Sequence, residues 1–171
     1  MKIIKTKFKD LIIVKQKNNI DKRGTLREIF NDKNLKKKFV FEYCTASKKN
    51  VLRGFHFQTK FKQSKYVNVI KGKILDAVID LRKNSKTFGK IFKIVLSQKN
   101  ALSLFVPAGF AHAYYSIEKE NIIYYKLDNY YSPKFENGIA YNDKSLKIKW
   151  PGKIVVSKKD KNLLSFNDFK K

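Results

Sequence analysis

Two histidines are the side chains of this sequence best suited to acid–base chemistry near neutral pH. His56 lies in segment 51–58 and His112 in segment 107–113, and both segments are short, largely apolar and contain glycine. A buried imidazole needs a hydrogen-bond partner, and one that is held against a carboxylate in an apolar pocket is a good general base. An isolated histidine is more often a core or surface residue, so the two segments alone leave both interpretations open.

The spacing of potential ligands argues against a catalytic metal. Zinc and iron sites in barrel proteins use two or three histidines and a carboxylate at close spacing, and the usual second position, two residues after His56, is Gln58. The sequence has no glycine-rich dinucleotide fingerprint, no phosphate-loop motif and no Gly-x-Ser-x-Gly motif. We therefore expect neither a metal nor a cofactor.

The formal net charge of +25 invites a nucleic-acid interpretation. Only four of the 39 basic residues are arginine, however, and lysine alternates with Asn, Ile, Phe and Tyr along the whole chain. This pattern is typical of AT-rich codon usage, whereas nucleic-acid sites concentrate charge and use arginine for bidentate contacts. We therefore expect no nucleic-acid partner, although the charge would help to attract a phosphate-bearing substrate.

Length and composition favour one folded domain over residues 1–171. The single cysteine, Cys44, excludes an intramolecular disulfide and favours a cytoplasmic location. The first 14 residues lack the apolar length of a signal peptide. No segment approaches the roughly 20 apolar residues of a membrane helix, so we expect no membrane partner.

The elements that must position these residues are predicted to be β-strands. Short segments rich in Val, Ile, Phe and Tyr recur between clusters of Gly, Asn, Pro and Lys, which is typical of an all-β fold. The predicted strands are 66–70, 73–81, 89–96, 103–106, 111–116 and 122–127. A short helix is predicted over 32–38 with Asp32 as its cap, and 163–169 is a further helical candidate. Many short strands with tight turns indicate a sandwich, a jelly roll or a barrel.

The strand over 74–81 places its two carboxylates on one side. Asp76 and Asp80 share that side with Ile74 and Val78, while the alternate residues form a fully apolar side that faces a core. For Asp80 a solvated position and an interior position are equally open. For Asp76 we expect a place inside the mouth of a barrel.

An ordered series of short motifs extends from about Asp21 to Asp160. They are DKRG at 21–24, VLRGFHFQ at 51–58, KILDAVIDLR at 73–82, SKTFG at 85–89, VPAGFAH at 106–112, YK at 125–126 with YYSP at 130–133, YND at 141–143 and IKWP at 148–151. In this order and spacing the sequence resembles the dTDP-4-dehydrorhamnose 3,5-epimerase family. The resemblance implies a cupin-like jelly-roll barrel or sandwich with short helices near the termini, which forms a homodimer and needs no metal or cofactor.

Members of this family invert the carbons beside the ketone of a nucleotide-linked 4-keto-6-deoxy sugar, in the biosynthesis of surface polysaccharides. A C–H group beside a carbonyl is weakly acidic, so such an enzyme must stabilise an enolate and supply a base and an acid on opposite faces. By the resemblance, His56 matches the base and Asp160 its carboxylate partner. Lys65 matches the ammonium that faces the enolate oxygen. Tyr125 matches the acid, which would suit the task if the site lowers its pKa.

The resemblance also implies a set of substrate-binding residues. Arg23 and Arg53 match groups that hold the diphosphate, a role that suits the arginine fork. His112 matches a polar residue near the sugar or the phosphate, and Asp76 matches an acidic position in the barrel. Gln58 completes the set.

Several positions depart from the family pattern. The family usually carries glutamine and asparagine in the strand before the histidine motif, where this chain has Phe41 and Tyr43. These changes leave the nucleotide open among dTDP, GDP, CDP and UDP, and C3, C5 or both as the inverted carbons. The alternatives are a single-carbon epimerase or ketoisomerase on another nucleotide sugar, and a non-catalytic barrel that binds a sugar or nucleotide.

Overall fold

The structure, a computed structural model, describes residues 1–170 apart from the side chain of Asn34, and this part of the chain is mostly β-strand. The strands are β1 (Lys2–Lys5), β2 (Ile12–Lys15), β3 (Asn18–Asp21), β4 (Gly24–Arg27), β5 (Phe41–Lys48), β6 (Leu52–Gln58), β7 (Lys65–Lys71), β8 (Lys73–Asp80), β9 (Ile91–Ser97), β10 (Leu102–Val106), β11 (Phe110–Ser116), β12 (Glu120–Leu127) and β13 (Glu136–Gly138). The helices are α1 (Asp32–Leu35), α2 (Lys158–Lys161) and α3 (Phe166–Lys170).

Two antiparallel sheets form the body of the fold. One has six strands in the order β1-β2-β10-β7-β12-β5, and the other has five in the order β13-β6-β11-β8-β9, while β3 and β4 form a separate hairpin. The side chains of Val67 and Val78 belong to the main core cluster, which joins the two sheets as in a jelly roll. A second cluster packs Phe55 and Ile79 of the five-stranded sheet against Trp150 of the C-terminal segment. Apolar side chains thus cover both sides of that sheet.

Every strand predicted from the sequence overlaps a strand of the structure. The helix predicted over 32–38 ends at Leu35 because Lys36 adopts a left-handed conformation with φ 48°. Its cap was predicted wrongly: Asn31, not Asp32, accepts a hydrogen bond from the Lys33 amide, at 3.1 Å. The helical candidate over 163–169 is α3, which begins only at Phe166.

Both carboxylates of β8 lie in the interior. Asp76 and Asp80 have no exposed surface, so the solvated position considered for Asp80 is wrong. Burial alone would raise the pKa of Asp80, but hydrogen bonds from Arg82, Ser85 and Thr87 lower it to about 2. The Asp80 carboxylate therefore fastens the turn after β8.

The described residues contain no helix of the length and apolarity that crossing a membrane requires.

Candidate active site

Two adjoining cavities of about 280 and 540 Å³ open beside the main core, and we call them the smaller and the larger lobe. Both lobes are lined by Tyr43, His56 and Lys65. The five-stranded sheet supplies His56 from β6, and the six-stranded sheet supplies Tyr43 from β5 and Lys65 from β7. Facing side chains of the two sheets therefore meet where the lobes join.

The predicted base lies against its predicted carboxylate. His56 Nε2 and Asp160 Oδ1 are 2.8 Å apart. Because a carboxylate only accepts hydrogen bonds, Nε2 carries the proton, and Nδ1, which has no hydrogen-bond partner among the described residues, is free to take another. Burial alone would raise the pKa of Asp160, but the hydrogen bond and charge of His56 hold it below its usual value. The pair is thus arranged for base catalysis.

Asp160 lies in the short helix α2, which places it at the larger lobe. Ser157 caps α2 by accepting a hydrogen bond from the Asp160 amide at 3.0 Å, and the Gly54 amide donates to Asp160 Oδ2 at 3.2 Å. The Asp160 residue is only 4% exposed. Backbone and side-chain donors together therefore fix the carboxylate that orients His56.

An irregularity in β6 brings Arg53 to the same cavity as His56. His112 pairs with His56 and Tyr114 pairs with Arg53, so three residues of β6 span the length of two in β11. In a regular strand, residues three apart point to opposite faces, and the extra residue removes that alternation. Both Arg53 and His56 accordingly line the larger lobe.

Lys65 is a buried cation that lines both lobes together with His56. Its residue is only 9% exposed, and burial lowers its pKa to about 8, although the carboxylates of Glu136 and Asp76 oppose the shift. Asp76 is bonded through Oδ2 to His112 Nε2 at 2.8 Å, while Asp76 Oδ1 is buried without a partner among the described residues. Burial raises the pKa of Asp76, opposed by His112 and Lys65.

Tyr125 lies in the wall of the larger lobe and is 3% exposed. Its ring stacks on that of Tyr43, with centroids 4.7 Å apart, and meets the edge of His112 at 6.1 Å. Burial raises the pKa of Tyr125 well above its usual value, so the lowered pKa considered from the sequence is wrong. The phenol keeps its proton across the neutral pH range.

Two predicted residues stand apart from this constellation. Arg23 lines neither lobe: it lies in the exposed β3–β4 hairpin, where its side chain pairs with Asp21 at 2.7 Å. Gln58 lines the smaller lobe, but its Nε2 donates to the carbonyls of Phe61 and Tyr130, and its Oε1 accepts from the Ser132 amide. Its amide therefore fastens the loop beside the cavity.

The structure adds one residue to the site that the sequence motifs did not identify. Glu136 lines the smaller lobe and is bonded to Tyr131 and Lys159. Burial alone would raise the pKa of Glu136, but these hydrogen bonds lower it. Only composition could have identified Glu136 from the sequence, because it is one of only 14 acidic residues in a strongly basic chain.

No group of three His, Cys, Asp or Glu side chains suited to holding a metal ion occurs within residues 1–170. The cavity instead combines a histidine–carboxylate pair, a buried ammonium and a buried phenol. This set can take a proton, stabilise a developing oxyanion and return a proton.

Comparisons with known proteins match this chain to one family over nearly its whole length. The family model described as dTDP-4-dehydrorhamnose 3,5-epimerase matches residues 5–168. The dTDP-4-dehydrorhamnose 3,5-epimerase of Shigella flexneri is 39% identical, and the alignment covers 98% of this chain and 97% of that relative.

Solved structures superpose closely. The dTDP-4-dehydrorhamnose 3,5-epimerase of Bacillus anthracis strain Ames, crystallised with TDP and PPi, gives a TM-score of 0.92 at 36% identity, covering 96% of this chain and 99% of that one. The dTDP-6-deoxy-D-glucose-3,5-epimerase of Legionella pneumophila Philadelphia 1, in complex with dTDP-4-keto-L-rhamnose, gives 0.93 at 34% identity, covering 97% and 93%. These likenesses confirm the predicted cupin-like jelly roll.

Proposed function

Because this chain belongs to the dTDP-4-dehydrorhamnose 3,5-epimerase family, as the sequence resemblance predicted, we propose that it inverts C3, C5 or both in a nucleotide-linked 4-keto-6-deoxy sugar. The observation that carries this proposal is the meeting of four groups at one cavity. His56 and its partner Asp160 lie on one side, and Lys65 and Tyr125 come from the facing sheet. Proton abstraction beside a ketone requires a base, a group that stabilises the enolate and an acid, and these side chains can supply all three.

The reaction then has two proton transfers. Nδ1 of His56 takes the proton from the carbon beside the ketone, and the electrons of the C–H bond move toward the ketone oxygen to form an enolate. Tyr125 gives its hydroxyl proton to that carbon from the opposite face, which inverts it. His56 loses its proton to solvent and the Tyr125 phenolate regains one, so the enzyme returns to its starting state.

Lys65 stabilises the enolate between these transfers. An ammonium in a site sheltered from water interacts strongly with a developing oxyanion. The Asp160 carboxylate stabilises the imidazolium that His56 becomes. Tyr125 keeps its proton because burial raises its pKa, and the enolate carbon is basic enough to remove it.

The substrate-binding roles belong to the same proposal. Arg53 and Lys159 both line the larger lobe, so a diphosphate there would meet two cations. His112 lines the larger lobe and can contact the substrate, whereas Asp76 lines neither lobe, has no exposed surface and acts through its bond to His112. Gln58 acts through the loop that it fastens.

We further propose that the functional unit is a homodimer. Arg23 lies outside both lobes of its own chain, on a hairpin whose Ile20 and Leu26 are 75% and 71% exposed. Large apolar side chains at such exposure favour burial against a partner. A second copy of the chain would cover them and could receive Arg23 at its own diphosphate site.

The substrate class is supported by the relatives' own ligands, because the Legionella structure holds dTDP-4-keto-L-rhamnose and the Bacillus structure holds TDP. We propose, as the family resemblance implies, that the product enters the biosynthesis of surface polysaccharides. The single cysteine favours a cytoplasmic site for the reaction.

The test is incubation of the protein in D₂O with dTDP-, GDP-, CDP- and UDP-linked 4-keto-6-deoxy sugars, followed by NMR. We expect deuterium at C3, C5 or both, with inverted configuration and preference for one nucleotide. Binding without deuterium uptake at either carbon would contradict the proposal and favour a non-catalytic barrel.

A further inference from the structure

Tyr43 is the direct cross-strand partner of the proposed acid. It lies opposite Tyr125 in the pairing of β5 with β12, and the two rings stack at 4.7 Å with an angle of 20° between their planes. Side chains that face each other in this way on one side of a sheet interact directly. A stacked ring therefore restricts the rotation of its neighbour.

The ring of Tyr125 has a second aromatic neighbour, which comes from the facing sheet. His112 meets it edge-on at 6.1 Å and 72°, and His112 is itself bonded to Asp76 at 2.8 Å. Asp76 has no exposed surface, so this support is anchored in the interior. Tyr125 thus contacts one buried and anchored ring, His112, and one ring that is 37% exposed, Tyr43.

Tyr43 also stands where the two lobes meet, because it lines both. Burial raises the pKa of its hydroxyl to about 12, with a further contribution from Tyr114, so this phenol keeps its proton at neutral pH as Tyr125 does. The ring rather than the hydroxyl is what this residue brings to Tyr125. The family resemblance implies a polar residue at this position, where this chain has an aromatic ring.

We infer that Tyr43 is a positioning residue that holds Tyr125 in the orientation from which it returns the proton with inversion. This inference rests on the proposed function. Without the stack, the phenol would rotate away from the enolate carbon for part of the time. A larger share of the enolate would then be protonated by His56 from the original face and a smaller share by Tyr125, which gives exchange without inversion.

The ratio of inversion to deuterium uptake at the same carbon measures this competition. A structural defect lowers both quantities together and leaves the ratio unchanged, whereas a misplaced acid lowers inversion alone. An aromatic pair changes an equilibrium constant by up to about tenfold. We therefore expect the ratio of inversion to deuterium uptake to fall by up to about tenfold when the ring is removed.

The experiment compares four variants with the wild-type enzyme in D₂O by NMR. Tyr43→Leu and Tyr43→Ala remove the ring, and Tyr43→Phe keeps it. Tyr124→Leu is the control: Tyr124 is the neighbour of Tyr125 in β12, it lines neither lobe, and its hydroxyl bonds Glu42. We expect the ratio to fall in the two variants without a ring and to stay at the wild-type value in Tyr43→Phe and Tyr124→Leu.

An unchanged ratio in a folded Leu or Ala variant would overturn the inference and leave the proposed function intact. A ratio that falls equally in Tyr43→Phe would overturn it too, because the hydroxyl would then be the active part. Absence of deuterium uptake by the wild-type enzyme with every nucleotide sugar would instead refute the proposed function, and the inference with it.

Discussion

Burial shifts the pKa values of Lys65 and Tyr125 in opposite directions, and these shifts suit the proposed roles of the two residues. A sheltered environment favours the neutral form of each group, so the pKa of Lys65 falls to about 8 while that of Tyr125 rises well above its usual value. At neutral pH the site therefore contains an ammonium and a protonated phenol at once. Above pH 8 the ammonium is lost first.

This order sets the pH dependence expected of the reaction. The charged form of Lys65 predominates below its pKa of about 8 and disappears as the pH rises through that value. We expect kcat/KM for deuterium exchange to fall above pH 8, because kcat/KM reports the ionisations of the free enzyme. Steady-state exchange rates between pH 6 and pH 10 measure it.

Lys65→Arg is the matched variant, since a guanidinium keeps its charge across this range. Its rate would be lower because the fork differs in shape from an ammonium, but the fall near pH 8 should vanish. A fall near pH 8 that persists in Lys65→Arg would assign the titration to another group.

At the scale of the elements, the sequence predicts the middle of the barrel and misses its beginning. Strands β7 to β12 are rich in Val, Ile, Phe and Tyr, whereas β3 to β5 place lysine, asparagine and small polar residues in exposed positions that hide the alternation. The four-residue helix α2 has no apolar periodicity, so only the family resemblance pointed to Asp160. The irregularity in β6 follows from its pairing with β11, which local sequence does not reveal.

Gly54 makes that irregularity possible. Its φ is +112°, and a Cβ at this position would collide with the His112 carbonyl oxygen and lie 2.7 Å from Ala113 Cα. We expect Gly54→Ala to destabilise the protein by about 2 kcal/mol more than Gly24→Ala, through forced movement of β6 against β11. Urea unfolding measures the two free energies.

Gly24 is the matched control because its φ is also positive, at +129°, with nothing within 4 Å of an added Cβ. The Gly54→Ala variant should lose exchange activity as well, since Arg53 and His56 flank the site of the collision. Equal losses of stability in the two variants would show that the approach of β6 to β11 is looser than the structure has it.

At the scale of the whole molecule, the position of Arg23 distinguishes a monomer from the proposed homodimer. In a monomer the hairpin that carries it faces solvent, and Arg23→Ala should leave activity unchanged. In the dimer Arg23 serves the partner's site. The sequence could identify Arg23 only by resemblance, because residue type and spacing do not say which copy of the chain a side chain serves.

A heterodimer of Arg23→Ala and His56→Asn chains tests this arrangement. If Arg23 acts across the interface, one site carries both defects and the other carries none, so the purified heterodimer should regain about half of the wild-type rate. If Arg23 acts within its own chain, every site keeps one defect. Activity as low as that of the two parent homodimers would then contradict the arrangement.

The central claim is that His56 removes the proton and Tyr125 returns it from the other face. The most direct measurement is solvent-deuterium uptake and product configuration, followed by NMR, for the wild type, His56→Asn and Tyr125→Phe with the preferred 4-keto nucleotide sugar. We expect His56→Asn to abolish uptake, and Tyr125→Phe to retain uptake but lose inversion at one carbon or both. Uptake at the wild-type rate in His56→Asn, or full epimerisation by Tyr125→Phe, would contradict the claim.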